Sequence, residues 1–146
     1  MAKPTLFTIG FTQSTAENFF GRLKAAGARR VVDVRLNNTS QLAGFAKGTD
    51  LPFFLDRILG IDYVHEPMLA PTEELVQLGR AKNWPAWETG FRRLMSERGM
   101  SKRFKSADFA GTCLLCAEAK PHHCHRRIIA ELLKAERKRP LAVVHL

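Results

Sequence analysis

The chain has 146 residues, of which 45% are hydrophobic and 25% are charged, a size and balance that suit one globular domain with an ordinary core. No apolar run reaches the roughly 20 residues that cross a bilayer, and the N-terminus lacks the apolar stretch of a signal peptide. We therefore expect a single domain over residues 1–146, no membrane partner and a cytoplasmic location. The net charge of +9 favours an anionic partner such as a nucleic acid, a nucleotide or another phosphate compound, although a basic surface also serves solubility.

The first half of the chain alternates short apolar runs with amphipathic segments. LFTI ends at Gly10, and RVVDVR is a second run rich in β-branched residues. The capping box Ser14–Glu17 and the glycine at position 27 delimit a helix between these two runs. This β-α-β spacing predicts that the two strands pair in parallel through a right-handed crossover. The predicted strands span 6–9, 30–35 and 61–65, and the predicted helices span 15–26 and 50–60.

The second half continues the alternation. Thr72 and Pro85 introduce helices, and Pro121 separates an apolar strand from a long helix with an apolar stripe. The predicted helices span 72–81, 85–99, 101–109 and 123–137, and the predicted strands span 112–116 and 141–146. The whole pattern predicts an α/β fold with a mostly parallel sheet of about five strands and helices on both faces.

Unusual polar residues fall where the predicted strands end. Open parallel sheets bind ligands beyond the C-terminal ends of their strands, so these segments should converge on one edge. The residues are Gly10, Thr12 and Ser14; Asp33 and Arg35; His65 and Glu66; Cys116 and Glu118; and Cys124, His125 and Arg126.

The stretch from Cys116 to Arg126 has the strongest chemical character. A helix N-terminus offers free N–H groups and partial positive charge, which favour a thiolate or bind an anion. The segment can therefore supply a nucleophile, an anion clamp or both. Alternatively, Cys113 and Cys116 are core residues of a buried strand. Three cysteines on one local segment make a poor disulfide framework, and a reducing compartment would keep them as thiols or metal ligands.

A metal site is an alternative use of the same stretch. Cys116, Cys124 and one of the three histidines at 122, 123 and 125 could bind zinc, with Glu118 as a fourth ligand or a base. The spacing between the two cysteines matches no common zinc finger. The site prediction therefore assigns no metal ligand.

Two further features are candidates for substrate binding. Asp33 and Arg35 lie two apart on a strand and share a face, so they could form a salt bridge. Alternatively, Asp33 orients Arg35 toward an anion or acts as a base. The polar loop that follows offers hydrogen-bond donors, although it could also be a self-capped turn. Its candidate binding residues are Asn37, Asn38 and Ser40.

The sequence resembles the domain of unknown function 488 family along nearly its whole length. The shared motifs are TIGFT at 8–12, DVRLNNTS at 33–40, GIDY at 60–63, LLCAE at 114–118, CHRR at 124–127 and the final VVHL. It differs from the broad family pattern at Phe11 and Asn38, and in the EPMLAP segment after the third strand. The resemblance implies a compact α/β domain without a settled activity. The motif positions it matches are Gly10, Asp33, Arg35, Ser40, Cys116, Glu118, Cys124, His125 and Arg126.

These observations lead to one functional hypothesis and two rivals. The leading hypothesis is an enzyme acting on a phosphate-bearing, nucleotide or nucleic-acid substrate. Arg35 and Arg126 would bind the anion, with Gly10, Thr12 and the 37–40 loop beside it. Cys116 or Cys124 would be the nucleophile, Glu118 or Asp33 the general acid or base, and His125 an orienting group. The rivals are a non-catalytic nucleic-acid or nucleotide-binding module and a metal-stabilised domain. The sequence does not specify a cofactor.

Overall fold

The fold is a five-stranded sheet in which every paired strand is parallel. A computed structural model describes residues 4–39, 44–136 and 141–146, so Ser40 and the basic residues 137–139 lie outside the described residues. The strands are β1 (Thr5–Gly10), β2 (Arg30–Asp33), β3 (Asp62–His65), β4 (Thr112–Cys116) and β5 (Ala142–His145), in the order β3-β2-β4-β1-β5. The predicted α/β class and strand number are confirmed.

The described residues form six α-helices around this sheet. They are α1 (Ala16–Ala26), α2 (Leu51–Phe54, continuing as a π-helical turn over Leu55–Leu59), α3 (Glu73–Arg80), α4 (Trp84–Glu97), α5 (Met100–Arg103) and α6 (His125–Lys134). The predicted helix over 101–109 is wrong, because α5 ends at Arg103 and a separate 3-10 turn, Ser106–Phe109, follows. Within the described ranges, no helix combines the length and apolar character that a membrane span requires.

The helix boundaries show where local signals compete. Thr15 caps α1, since its side chain accepts a hydrogen bond from the Asn18 N–H, so the cap lies one residue after the predicted Ser14. Gly27 ends the helix with a φ of 71°, as predicted. At the other end of the chain, α6 begins at His125 and not at 123, because Cys124 has the extended backbone of an N-cap residue.

Strands β1 and β2 are parallel but are not neighbours, so the predicted pairing between them is wrong. Strand β4 lies between them and pairs with both: Ile9 is opposite Leu115 in one ladder, and Val32 is opposite Leu114 in the other. The β-α-β spacing fixes the direction of the two strands but not their separation in the sheet. All five residues of β4 are buried, as expected for a central strand.

Two separate cores cover the two faces of the sheet. One contains apolar residues of α1 and α2 and the side chains of Cys113 and Leu115, and the other contains residues of α3, α4 and α6 and the side chains of Leu114 and Cys116. The connections that leave the neighbouring strands β1 and β4 therefore diverge to opposite faces. Such a switch point opens a crevice at the C-terminal ends of the two strands.

Candidate functional site

The loop 117–124 covers the crevice at the C-terminal ends of β1 and β4. This loop is bound to the end of β1, because the Thr12 N–H donates to the Ala117 carbonyl at 3.0 Å and the Thr12 hydroxyl donates to the same oxygen. Gly10 permits the close approach: a Cβ atom built there would lie 1.6 Å from the Glu118 carbonyl oxygen. Gly10 and Thr12, predicted to bind an anion, hold the loop against the sheet.

Arg126 fills the space beneath this loop. Its side chain is fully buried and donates to the Thr8 hydroxyl (3.1 Å), the Cys116 sulfur (3.4 Å), the Ala119 carbonyl (3.3 Å) and the Glu118 carbonyl. None of these acceptors is a carboxylate, so among the described residues this guanidinium makes no direct ion pair, although the charge of Glu118 acts on it. Burial, with a smaller contribution from the nearby charge of Arg22, lowers the pKa of Arg126 to about 10.

The predicted salt bridge between Asp33 and Arg35 is present and buried. The Arg35 Nε and Nη2 atoms donate to the two carboxylate oxygens at 2.8 and 2.7 Å, and the Tyr63 hydroxyl donates to one of them at 2.5 Å. Burial, together with the hydrogen bond to Asp33, raises the pKa of Tyr63 to about 12. Asp33 is 0% exposed, so its carboxylate is committed to the ion pair and does not face solvent.

Two arginine nitrogens near this edge lack a hydrogen-bond partner among the described residues. They are Nη1 of Arg35, whose guanidinium lies over the Phe11 ring, and Nε of Arg22. Arg22 also donates to the Gly10 carbonyl at 3.0 Å. The crevice therefore carries more positive charge than its single buried carboxylate, Asp33, can balance.

The loop after β2 is organised mostly by its own polar groups. The Asn37 side chain accepts hydrogen bonds from the backbone and hydroxyl of Thr39, and the Asn38 amide donates to the Tyr63 hydroxyl at 3.1 Å. Asn38 thus extends the network around Asp33, whereas Asn37 forms a local turn at the surface. This agrees with the self-capped alternative for Asn37.

Cys116, Cys124 and His125 meet on the other side of Arg126. The two Sγ atoms are at disulfide distance, 2.06 Å, although the Cα atoms are 7.5 Å apart, beyond the roughly 4.4–6.8 Å that disulfides usually span. The structure thus joins Cys116 and Cys124, where thiols or metal ligands were expected, while Cys113 is free and buried. The backbone spacing, set by β4 and α6, is wider than a relaxed disulfide needs.

His125 is fixed by a hydrogen bond between its Nε2 atom and the Val34 carbonyl, at 2.6 Å. Its Nδ1 atom faces the Cys124 sulfur at 3.9 Å. Burial lowers the pKa of His125 to about 4, so the ring is neutral at physiological pH. His125 therefore links the end of β2 to the cysteine pair.

A surface depression of about 290 Å³ lies beside the same loop. It is lined by Thr12, Gln13, Glu118, Ala119, Lys120, His122 and His123. His123 is in turn stacked on Trp84, with ring centroids 3.9 Å apart. Glu118, exposed at the rim, is thus separated from the buried groups with which it was predicted to act.

The predicted residues divide into two groups. The buried residues of the crevice are Gly10, Asp33, Arg35, Cys116, Cys124 and Arg126. Thr12, Asn37 and Glu118 lie at the surface, and His125 and Asn38 are half-buried. Sequence reasoning missed Thr8, Arg22 and Tyr63. Tyr63 could have been found, because it is the chain's single tyrosine and lies two residues before the strand end at His65, on the same face.

Comparison with known proteins identifies the family of this chain. No curated protein and no solved structure matches the chain significantly. The model of one family, described as "Domain of unknown function DUF488", matches residues 15–133, from the N-cap of α1 to within one residue of the end of α6. The matched region covers most of the chain, and the protein therefore belongs to the DUF488 family.

Proposed function

We propose that this protein is an enzyme that acts on a phosphate-bearing substrate, such as a nucleotide, bound at the C-terminal edge of the sheet. The observation that carries the proposal is the uncompensated positive charge in the crevice. Arg22, Arg35 and Arg126 converge there against one buried carboxylate, and Arg35, only 4% exposed, retains an unpartnered nitrogen. Buried charge is costly unless it is paired, so a bound anion would stabilise this arrangement.

The depression beside the loop 117–124 is the proposed entry for the substrate. Lys120 and the imidazoles of His122 and His123 surround it and can donate to phosphate oxygens. Arg126 acts there through its charge, because each of its three side-chain nitrogens already donates to the protein. Direct contacts to the anion would therefore come from the rim.

Exposure narrows the catalytic roles that the sequence left open. Cys116 and Cys124 are 1% and 2% exposed, so neither sulfur faces the depression as an accessible nucleophile. Asp33 is held by Arg35 and Tyr63. Glu118 lines the depression, and we assign it the role of general acid or base.

Isothermal titration calorimetry with inorganic phosphate and with AMP tests the binding step. We expect saturable binding that Lys120→Gln weakens by about fivefold, the effect of losing roughly 1 kcal/mol of charge attraction. The matched control is Lys134→Gln, which removes an exposed charge from the distant end of α6 and should leave the affinity unchanged. Absence of saturable binding to either ligand at millimolar concentration would refute the proposal.

A phosphate-release assay across nucleoside mono-, di- and triphosphates tests the catalytic step. Glu118→Gln should abolish turnover while keeping the affinity for phosphate within about twofold. Binding without turnover on any of these substrates would favour the non-catalytic module. That module predicts a steep linear fall of log affinity for a single-stranded oligonucleotide with log salt concentration.

A further inference from the structure

We propose that, in the reduced protein, Cys116, Cys124 and His125 form a binding site for a zinc ion. Their three potential ligand atoms, two Sγ and the imidazole Nδ1, all lie within 4.8 Å of one another. Two thiolates and an imidazole are ligands that zinc prefers, at roughly 2.0–2.3 Å from the metal. This inference goes beyond the proposed phosphate chemistry, and its three ligands are not among the groups proposed to contact the phosphate.

The hydrogen bond of His125 prepares its Nδ1 atom for a metal. A carbonyl oxygen can only accept, so the 2.6 Å contact between Nε2 and the Val34 oxygen places the ring proton on Nε2. The lone pair of Nδ1 is then directed to the side where Cys124 lies, 3.9 Å away. Zinc-binding histidines commonly donate their second N–H to a carbonyl in this way, which fixes both tautomer and orientation.

Arg126 contacts one of the proposed ligands. Its Nη1 atom donates to the Cys116 sulfur at 3.4 Å. Two thiolates balance the charge of one Zn²⁺, so the cluster can remain buried beside the arginine.

The backbone spacing agrees better with a bridging ion than with a direct bond. Cysteines whose Cα atoms are 7.5 Å apart exceed the usual disulfide span. Two thiolates bound to one tetrahedral zinc lie roughly 3.8 Å apart, as follows from a Zn–S distance of about 2.3 Å. The described residues supply no fourth ligand to this cluster, which leaves one coordination position for a small external ligand.

Titration of the reduced, metal-free protein with Co²⁺ and Zn²⁺ tests the site. We expect about one Co²⁺ per chain, with visible bands of tetrahedral geometry and a sulfur-to-cobalt charge-transfer band that zinc abolishes by displacement. Cys116→Ser and Cys124→Ser should each reduce the charge-transfer intensity. His125→Asn should weaken zinc binding by at least about tenfold, measured by competition with a chromogenic chelator.

The chain offers matched controls for each ligand. Cys113→Ala removes the free cysteine on the opposite face of β4 and should leave the cobalt spectrum unchanged. His122→Asn and His123→Asn remove imidazoles that are near in sequence but outside the cluster, and they should leave the affinity unchanged. The wild-type cobalt spectrum by itself reports sulfur ligation, so the test stands even if a cysteine variant fails to fold.

The absence of sulfur-to-cobalt charge transfer in the reduced wild-type protein would overturn the metal site. So would a loss of affinity in His122→Asn or His123→Asn as large as that in His125→Asn. Phosphate binding that persists without metal binding would leave the proposed function standing alone. Metal binding without any phosphate binding would support the metal site and refute the proposed function.

Discussion

Replacing Gly10 with alanine should destabilise the protein more than any comparable change at an exposed glycine. The added Cβ would lie 1.6 Å from the Glu118 carbonyl oxygen, and real Cβ contacts below 3.0 Å essentially do not occur. The loop 117–124 must therefore retreat by about 1.4 Å, the difference between these two distances. The same oxygen accepts a hydrogen bond from Arg126, so the retreat also breaks a contact of the buried guanidinium.

The magnitude follows from these two effects together. Overpacking in a well-packed interior costs about 1–3 kcal/mol, and a lost hydrogen bond of a buried charged group costs about 1.5–3 kcal/mol. We expect Gly10→Ala to lower the free energy of unfolding by about 3–5 kcal/mol, which corresponds to a fall in Tm of about 10 °C for a chain of this size. Urea denaturation followed by far-UV circular dichroism measures this free energy directly.

Gly21→Ala is the matched control for this experiment. Gly21 lies inside α1, and a Cβ atom there would have nothing within 4 Å. Alanine should therefore stabilise α1 by about 0.5–1 kcal/mol through its higher helix propensity. A Gly10→Ala protein within about 0.5 kcal/mol of wild type would show that the loop does not pack on β1 as described.

Three further predictions concern titratable side chains. Tyr63 is the only tyrosine, so an absorbance titration of the folded protein reports its pKa alone. We expect a midpoint near pH 12, against about 10 in denaturant. Equal midpoints would contradict the contact with Asp33. Because this pKa is higher in the folded state, stability should fall as the pH rises from about 10 toward 12. Asp33→Asn leaves Arg35 buried without its partner and should cost about 3–5 kcal/mol in urea unfolding; an unchanged midpoint would refute the buried pair. Burial raises the pKa of Cys113, so iodoacetamide should label this cysteine only after denaturation. Rapid labelling of Cys113 in the native protein would show that it is not buried.

The sequence predicted the fold class because it depends on local periodicity. Strand β4 has the predicted bounds of Thr112–Cys116, since an apolar run between Gly111 and a polar loop has few alternatives. The order of the strands was beyond such reasoning. Nothing local to β1 or β2 indicates that β4, far along the chain, is inserted between them.

The contacts of individual side chains were harder to predict than the positions of the residues in the fold. Arginine at the first turn of a helix is typical of an anion site, yet Arg126 turns inward and binds the carbonyls of the preceding loop. This depends on the absence of a side chain at Gly10, which only the three-dimensional packing reveals. The ion pair of Asp33 and Arg35 was foreseeable, because residues two apart on a strand share a face.

The central position of β4 has a consequence for how the protein is synthesised. Strands β1 and β2 cannot complete their hydrogen bonding until β4 has emerged, because Val32 pairs with Leu114 and Ile9 pairs with Leu115. A nascent chain that ends before β4 therefore exposes unpaired strand edges on both β1 and β2, which are favourable sites for aggregation. We expect folding to be slow for a chain of this length, since contacts between distant segments must form before the sheet is stabilised.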